Sequence, residues 1–436
     1  MNQHAPTGPA RQPVRLRRTL PLMAIPAIAV LVAGCTGSAS EPADGDPVSL
    51  TIASTTYFEK VLPELIDSYQ EDHPNVEIEA TFTPSADHAQ VIGTQLSNGT
   101  ASDIIGVSPG SASAQAVKTL AGQDFLVDLS DQPWVVNIPE DYVDYTTFDG
   151  KFYVPPISTI AIGAMYNMTE LEARGLEIPR TWEEVLDFCD DAAASGTSAF
   201  GMAAATDYQN QMLSFVLEAT LVGNDAPDFI EDRFAGNTTF ADSPWVDVFE
   251  KQKELFDHGC FARDPLGTDI TALQAMVAQG QALGYFGQSL QLTQLEALAT
   301  DKKFVHTTFP ATDDEDETRM SIALQGSFGV NAKTDPGKLD TAKDFLAFLM
   351  QPENVRKIAE ATSSVPAIPD PEFKVSGPTE AQVEALESGN FTLVPDQFFP
   401  NPNVRLTWIT MNQKMIAGDA TPLELAEAMD AAWDER

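Results

Sequence analysis

The chain has 436 residues and a formal net charge of −39, which comes from 64 acidic and 25 basic residues. So acidic a surface repels nucleic acid and anionic lipid headgroups, and it therefore excludes a protein that binds either by overall charge. A chain of this length exceeds one typical hydrophobic core and predicts a body with two lobes.

Residues 1–34 have the pattern of an export signal. Four arginines precede an apolar run over residues 19–34, and two prolines interrupt that run. Residues 1–34 contain no acidic residue. The run is too short for a comfortable transmembrane helix but is typical of a signal peptide. Its end, Leu31-Val-Ala-Gly-Cys35, resembles the bacterial lipobox, in which the cysteine is acylated and the chain is cut just before it. An ordinary secretory signal with a chance cysteine is the alternative.

Cys35 is therefore the predicted lipid attachment site, and residues 35–48 are predicted to be a lipid-anchored flexible tether of small and acidic residues. This interpretation places the protein on the outer face of the bacterial cytoplasmic membrane, at the cell surface or in the periplasm. Removal of residues 1–34, with their four arginines, would change the net charge from −39 to −43.

Two further cysteines, Cys189 and Cys260, would remain in a compartment where disulfides persist. A disulfide between them is one possibility. A buried free thiol is the other, because Cys189 lies on the apolar face of a predicted helix.

Short strands alternate with amphipathic helices along the rest of the chain. Strands are predicted over residues 50–54, 76–82, 102–107, 161–167, 198–204, 282–287 and 328–332. Helices are predicted after the first strand, over 111–122 and over 338–350, and capping boxes at Thr181–Glu184 and Thr421–Glu424 open two more. This alternation predicts an α/β fold with mainly parallel sheets.

One motif suggests an enzyme. Residues 106–110 match G-x-S-x-G around Ser108, between a strand and a helix, and His258 and His306 follow downstream. The residue after Ser108 is Pro109, however, which has no N–H to contribute to an oxyanion hole. A secreted hydrolase is therefore only a minor alternative. The sequence has no metal-ligand spacing and no nucleotide-binding loop, so no cofactor and no metal is predicted.

Several stretches, in this order, resemble the carbohydrate-binding group of bacterial extracellular solute-binding proteins, which includes maltose-binding protein. They are "FEKVLPELIDSYQEDHPNVEIEATF", "QLSNGTASDIIGV", "DGKFYVPPISTIAIGAMYNMTELEARGLEIPRTWEEVLDFCDDA", "MVAQGQALGYFGQ" and "AKDFLAFLMQPENVRKIAEATSSVPA". Together they cover nearly all of the chain after the signal. Each stretch is weak alone, and their order carries the resemblance.

The resemblance implies a two-lobe periplasmic-binding-protein-like fold of type II, with a mainly parallel sheet flanked by helices in each lobe and a ligand cleft at the hinge. Matching the crossing segments assigns residues 49–158 and 310–364 to lobe 1, and residues 159–309 and 365–436 to lobe 2. The implied protein is a monomeric, non-catalytic receptor. It binds a mono- or oligosaccharide, closes around it, and delivers it to the transmembrane subunits of an ABC importer.

Sugar sites need flat aromatic faces and hydrogen-bonding side chains, and in α/β sheets these lie in loops after the strands. The candidates on that basis and from the resemblance are Thr56, Tyr57, Ser108, Gly110, Ser111, Ser158, Thr159, Asp207, Tyr208, Gln288, Gln325, Ser327, Arg405 and Trp408. Core packing is the alternative for Tyr208 and Trp408. Where the family commonly has a Trp, this chain has Gln288 and Ser289, so a non-sugar solute (a polyamine, peptide or organic anion) is the alternative ligand. A third hypothesis for the function is an adhesion or structural lipoprotein.

Overall fold

The structure is a computed structural model, and it describes residues 47–435. The predicted signal peptide, the lipid attachment site Cys35 and nearly all of the predicted tether lie outside the described residues. Within residues 47–435, every helix is too short or too polar to cross a membrane.

Strands and helices alternate as the apolar pattern predicts. The strands are β1 (Val48–Thr55), β2 (Val76–Thr83), β3 (Ile104–Val107), β4 (Thr147–Phe148), β5 (Lys151–Phe152), β6 (Ser158–Asn167), β7 (Ser198–Gly201), β8 (Ala282–Gln288), β9 (Phe304–Thr307), β10 (Met320–Leu324), β11 (Ser327–Val330), β12 (Val365–Pro366) and β13 (Phe391–Leu393). The helices are α1 (Leu62–Asp72), α2 (Ser85–Asn98), α3 (Val117–Ala121), α4 (Glu140–Thr146), α5 (Met168–Arg174), α6 (Trp182–Ala194), α7 (Asp207–Asn210), α8 (Met212–Asp225), α9 (Phe229–Ala235), α10 (Trp245–His258), α11 (Ile270–Ala278), α12 (Leu290–Leu298), α13 (Leu339–Leu349), α14 (Pro352–Thr362), α15 (Glu380–Ser388), α16 (Pro402–Ala417) and α17 (Pro422–Asp434).

The first sheet has the strand order β11-β3-β1-β2. β1 runs parallel to β2 in one continuous register, from Val48 opposite Val76 to Thr55 opposite Thr83. β1 is also parallel to β3, whereas β11 is antiparallel to β3. The β1–α1–β2 and β2–α2–β3 crossovers explain the parallel pairs, because parallel neighbours need a long connection.

The second sheet has the order β13-β10-β6-β8-β7, and β9 and β12 also pair with β6. All ten residues of β6 are buried, which explains why its sequence is almost uniformly apolar. The α/β class is confirmed, but the expectation of a mainly parallel sheet is wrong here. β6 is antiparallel to β8, β9, β10 and β12, and only the β7–β8 and β10–β13 pairs are parallel.

Each sheet has its own apolar core. One core packs β1, β2 and β11 against α1, α13 and α14. A larger core packs β6, β7 and β8 against α6, α8, α10, α16 and α17. The chain passes from the first sheet to the second between β3 and β6, returns between β10 and β11, and crosses to the second sheet again between β11 and β12. β4 and β5 form a separate two-stranded sheet.

Two local expectations change in the structure. The helix predicted over 111–122 is confined to α3, because the preceding residues form a loop that binds another segment, described below. At α6 the Thr181 side chain accepts a hydrogen bond from the backbone N–H of Glu184 (3.3 Å). The Glu184 side chain accepts from the backbone N–H of Arg180 (2.8 Å) instead of that of Thr181, so the capping box is incomplete. At α17 both halves of the box are present.

Cys189 on α6 and Cys260 after α10 form a disulfide, with 4.9 Å between their Cα atoms and a sequence separation of 71. Both residues are buried in the larger core. The structure therefore has the bridged alternative rather than a free thiol.

Candidate functional site

A cavity of about 180 Å³ opens between the loop after β3, beside the first sheet, and several elements of the second sheet. We call it the cleft cavity. Polar and aromatic side chains share its wall with aliphatic ones, and the lining residues are Ser108, Pro109, Ala112, Ser113, Ile162, Tyr208, Met212, Phe215, Gln288, Ala323, Val394, Asp396, Gln397 and Arg405.

Four of the predicted site residues therefore meet in one place: Ser108, Tyr208, Gln288 and Arg405. They are far apart in the chain: the first, Ser108, and the last, Arg405, are separated by 297 positions. Ser108 and Gln288 lie at the ends of strands from different sheets, as the rule for ligand sites in open α/β sheets predicts, whereas Tyr208 and Arg405 lie in the first turns of helices α7 and α16.

Ser108 directly follows β3 and is held from its own loop. Gln115 Nε2 donates a hydrogen bond to Ser108 Oγ (2.9 Å), and the Ser108 N–H donates to the Gln115 carbonyl (3.1 Å). The Ser108 hydroxyl hydrogen is left to point toward an acceptor in the cavity.

No histidine among residues 47–435 hydrogen-bonds to Ser108. His306 is buried and lies near the carbonyl of Gly287 (3.3 Å), and His258 lies beside Asp190 (3.0 Å). The G-x-S-x-G match thus lacks the base that would activate a nucleophile, in addition to the missing N–H at Pro109.

Tyr208, on α7, presents the aromatic face of the cavity with 38% of its surface exposed. Partial burial raises the pKa of its phenol, although a hydrogen bond with the Gln291 side chain works in the opposite direction. The ring is therefore a neutral, flat surface with a polar edge, which suits the C–H face of a sugar.

Hydrogen bonds between amide groups fix the wall of the cleft cavity next to Tyr208. Gln291 accepts a hydrogen bond from the Gln288 backbone (3.0 Å) and donates to Gln209 Oε1 (3.1 Å), and Gln209 donates to the Phe286 carbonyl. Because Gln209 and Gln291 are buried and fully engaged with each other, the position of the Gln288 backbone is well determined.

Arg405 and Asp396 supply charge at the other side of the cavity. Arg405 Nε lies 3.3 Å from Asp396 Oδ2 and donates to Gln211 Oε1 (3.0 Å). Burial raises the pKa of the Asp396 carboxyl, and Arg405 only partly offsets that effect. The remaining N–H groups of Arg405 are available to a hydroxyl or carboxylate ligand.

Three other predicted site residues are buried outside the cleft cavity. Ser158 and Thr159 are fully buried at the start of β6, where the Thr159 hydroxyl donates to the Val365 carbonyl (3.3 Å) and accepts from Gln382 (2.9 Å). Ser327 is buried and donates to the carbonyl of Pro155 (2.5 Å). The Ser158 hydroxyl has no hydrogen-bond partner within residues 47–435. Ligand contacts of these three residues remain predictions.

Gly110 and Ser111 contact protein rather than the cavity. The Ser111 N–H donates to the Gln397 carbonyl (2.7 Å), and its hydroxyl donates to the Phe399 carbonyl (2.6 Å). Gly110 has φ +70°, and a Cβ there would lie 1.9 Å from the Gln397 carbonyl oxygen. These two residues fasten the loop after β3 to the 397–399 segment.

Trp408 is also not a ligand residue. Its side chain is fully buried in the larger core, against Phe215 and Trp245, with ring centroids 5.1 and 5.2 Å away. The core-packing alternative holds because the buried face of α16 includes this position.

The other candidates lie outside the cleft cavity. Thr56 and Asp207 are exposed, Tyr57 donates to the Thr362 carbonyl (3.3 Å), and Gln325 is half-buried, with its backbone N–H bound to the Ser158 carbonyl (2.9 Å). Their ligand contacts remain predictions.

Sequence reasoning missed part of the wall. Asp396 and Gln397 reach the cavity from a short 3-10 turn after β13, and Ser113 reaches it from the irregular loop that was predicted to be a helix. Their short segments have no periodic pattern, so no signal in the sequence identified them. No group of three His, Cys, Asp or Glu side chains within residues 47–435 is placed to hold a metal ion.

The fold and the cavity together define a solute-binding protein. Residues 64–373 match the sequence profile of the bacterial extracellular solute-binding protein family, and the chain belongs to that family. A chitin oligosaccharide binding protein has the same type II, two-lobe fold, with a TM-score of 0.73 and 17% identity over 88% of this chain and 98% of that one.

Two relatives have described ligands. The chain is 22% identical to the multiple sugar-binding protein of Streptococcus mutans over 175 residues, which is 40% of each chain. It is 22% identical to the melibiose/raffinose/stachyose-binding protein MelE of Bacillus subtilis, over 77% of this chain and 78% of that one.

Proposed function

We propose that this protein is the exported substrate-binding receptor of an ABC importer and that it binds a carbohydrate in the cleft cavity. The observation that carries the proposal is the composition of that cavity. It combines the exposed face of Tyr208 with hydroxyl, amide and guanidinium groups, the two kinds of surface that a sugar requires. The sugars in the names of the relatives agree with this assignment.

The proposed lobes are residues 49–158 with 310–364, and 159–309 with 365–436, except that β10 (Met320–Leu324) pairs with β6 and β13 and therefore goes with the second lobe. The cleft cavity then lies between them, with Ser108 from lobe 1 and Tyr208, Gln288 and Arg405 from lobe 2. Closure of the lobes around the sugar would present a surface for the permease, and opening would release the cargo. The receptor acts as a non-catalytic monomer.

Thermal unfolding with a ligand panel tests the sugar. A ligand that binds only the folded protein stabilises it by about 2.7 kcal/mol at one hundred times its Kd, which is visible as a raised Tm. We expect a saturable shift with one class of mono- or oligosaccharide and none with polyamines, peptides or organic anions. Shifts with those controls alone would refute a carbohydrate cargo.

Lipid anchoring through Cys35 belongs to the same proposal, because an anchored receptor stays near its permease. In cells, Cys35→Ala should release the protein into the soluble fraction, whereas Cys35 protein should incorporate a labelled fatty acid. Equal membrane association of both would contradict the anchor.

A further inference from the structure

A second and larger cavity, of about 710 Å³, lies behind one wall of the cleft cavity. The 393–398 segment separates the two. Leu393, Pro395 and Phe398 line this second space, whereas the residues between them line the cleft cavity. Helices α4, α8 and α9 and strand β13 supply the rest of its wall. We call it the acidic cavity.

Five carboxylate residues line the acidic cavity: Glu140, Asp141, Asp144, Glu218 and Glu231. Asp144 is paired with Lys118 (2.6 Å), and no ion pair of Glu140, Asp141 or Glu231 occurs among residues 47–435. The negative charge at this mouth is therefore largely uncompensated.

Arg319 is the basic residue in the lining, and its guanidinium is already engaged. It donates to the Phe391 carbonyl (2.6 Å), the Thr392 hydroxyl (3.0 Å) and the Gly389 carbonyl (3.4 Å). Arg319 thus closes the end of β13, and it forms no ion pair with the described carboxylates that line the cavity.

The floor contains a buried carboxyl without a partner. Glu218, on α8, is only 2% exposed, and its Oε2 has no hydrogen-bond partner within residues 47–435. The Glu218 side chain also lines the cavity, so its carboxyl is a polar contact point for an N–H group of a ligand in a wall that is otherwise largely apolar here.

The remaining wall is aromatic and aliphatic. Phe234 and Phe391 line the space, and Phe234 has 58% of its surface exposed. Carboxylates spread around such a volume do not converge on one point, and no described acidic group has the arrangement that a metal ion needs. A larger cation with an apolar face matches this wall, because aromatic rings attract cations and also pack against hydrocarbon.

We propose that the acidic cavity is a second ligand site, which binds an organic ammonium ion with its N–H groups at Glu218 and its apolar part against Phe234 and Phe391. This site is distinct from the sugar cleft and does not depend on the proposed carbohydrate function. The shared 393–398 wall places a ligand in it against the segment that carries Asp396 and Gln397.

The test uses 2-phenylethylamine as the probe and 2-phenylethanol as its neutral counterpart of similar shape. Titrations of the purified protein followed by ligand NMR should give saturable amine binding at least tenfold tighter than binding of the alcohol. Glu218→Leu removes the hydrogen-bond acceptor while it keeps an apolar side chain of similar size, and it should weaken amine binding at least fivefold. The rim variant Glu231→Gln should weaken it two- to threefold.

Two controls make the outcome decisive. Glu427→Gln removes the same charge from an exposed position on α17 and should leave amine binding unchanged. Tyr208→Ala alters only the cleft cavity and should also leave it unchanged. The proposal is overturned if the amine does not bind or if the alcohol binds equally well. It is also overturned if Glu218→Leu, shown to be folded by its unfolding transition, has no effect, or if Tyr208→Ala abolishes amine binding.

Discussion

At the residue scale, exposure separates the aromatic residues that can bind a ligand from those that hold the core. Tyr208 and Trp408 both follow the family resemblance, yet one is 38% exposed at the cavity and the other is 0% exposed. A sugar can stack only on a face that water also reaches before binding.

Replacement of Tyr208 tests its role directly. Tyr208→Ala should weaken carbohydrate binding about tenfold, since loss of a ring contact of about 1.5 kcal/mol corresponds to that factor. Tyr208→Phe keeps the ring and should retain most of the affinity, as measured by calorimetry. Equal affinity of Tyr208→Ala and the unmodified protein would remove this residue from the site.

Glu218 should make stability depend on pH. Burial, reinforced by the nearby charge of Asp396, raises the pKa of Glu218 well above its ordinary value. The folded state therefore keeps the proton at a pH where the unfolded chain has released it, and stability falls as pH rises from about 4.5 toward the folded pKa. Glu218→Gln should remove this contribution.

The measurement is the free energy of unfolding of both proteins from pH 5 to pH 8. The variant should gain on the unmodified protein as the pH rises, by about 1.4 kcal/mol for each unit by which the pKa is raised. Asp396 and Tyr145 face the same buried region, but both proteins contain them. Their contributions to the free energy of unfolding therefore largely cancel in the comparison. A constant difference across the range would contradict a raised pKa.

At the scale of elements, the disulfide joins α6 to the end of α10 across the larger core. A loop of 71 residues that is closed by a bridge stabilises the folded state by about 4 kcal/mol in the chain-entropy description. The bridge thus stabilises the larger core, which belongs to the proposed lobe 2.

The double variant Cys189→Ala, Cys260→Ala should lower the free energy of unfolding by about 2–4 kcal/mol while sugar affinity stays nearly unchanged. Denaturant unfolding and calorimetry measure the two quantities. Addition of a reductant to the unmodified protein should produce a similar loss of stability, and it should have no effect on the variant. A large loss of affinity without loss of stability would assign the bridge to the site instead.

At the scale of the whole molecule, several contacts join the proposed lobes, and two sets of them lie in loops and at a helix end. Gly110 and Ser111 bind the 397–399 segment, and Ser289 and Thr293 bind Ser363 (3.1 and 2.9 Å). An arrangement in which the lobes separate must break both sets, so they belong to the closed form of the proposed receptor.

Gly110→Ala should therefore disfavour the closed form. The new Cβ would meet the Gln397 carbonyl at 1.9 Å, in addition to the strain of φ +70°. We expect sugar affinity to fall at least tenfold and small-angle scattering to show a more open molecule. Gly175→Ala is the matched control, because it has φ +69° and nothing within 4 Å of the added Cβ. It should cost about 1 kcal/mol of stability and leave affinity intact; equal effects of both variants would argue against closure at this contact.

The sequence by itself determined the α/β class, the seven strands that it predicted and the α17 cap, because these depend on the local spacing of apolar residues and on short-range caps. It also identified Ser108, Tyr208, Gln288 and Arg405, which lie at the ends of such elements. Only the tertiary structure decided which of the other candidates face the cavity, since strand alternation and helix faces leave open what packs on each side. Trp408 and Thr159 contact protein partners there, and Ser158 is buried without a partner for its hydroxyl among residues 47–435. The surroundings of Asp396 and Glu218 come from segments far away in the chain. The antiparallel pairs of β6 were likewise beyond local pattern, because strand direction follows from the path of the chain and not from its periodicity.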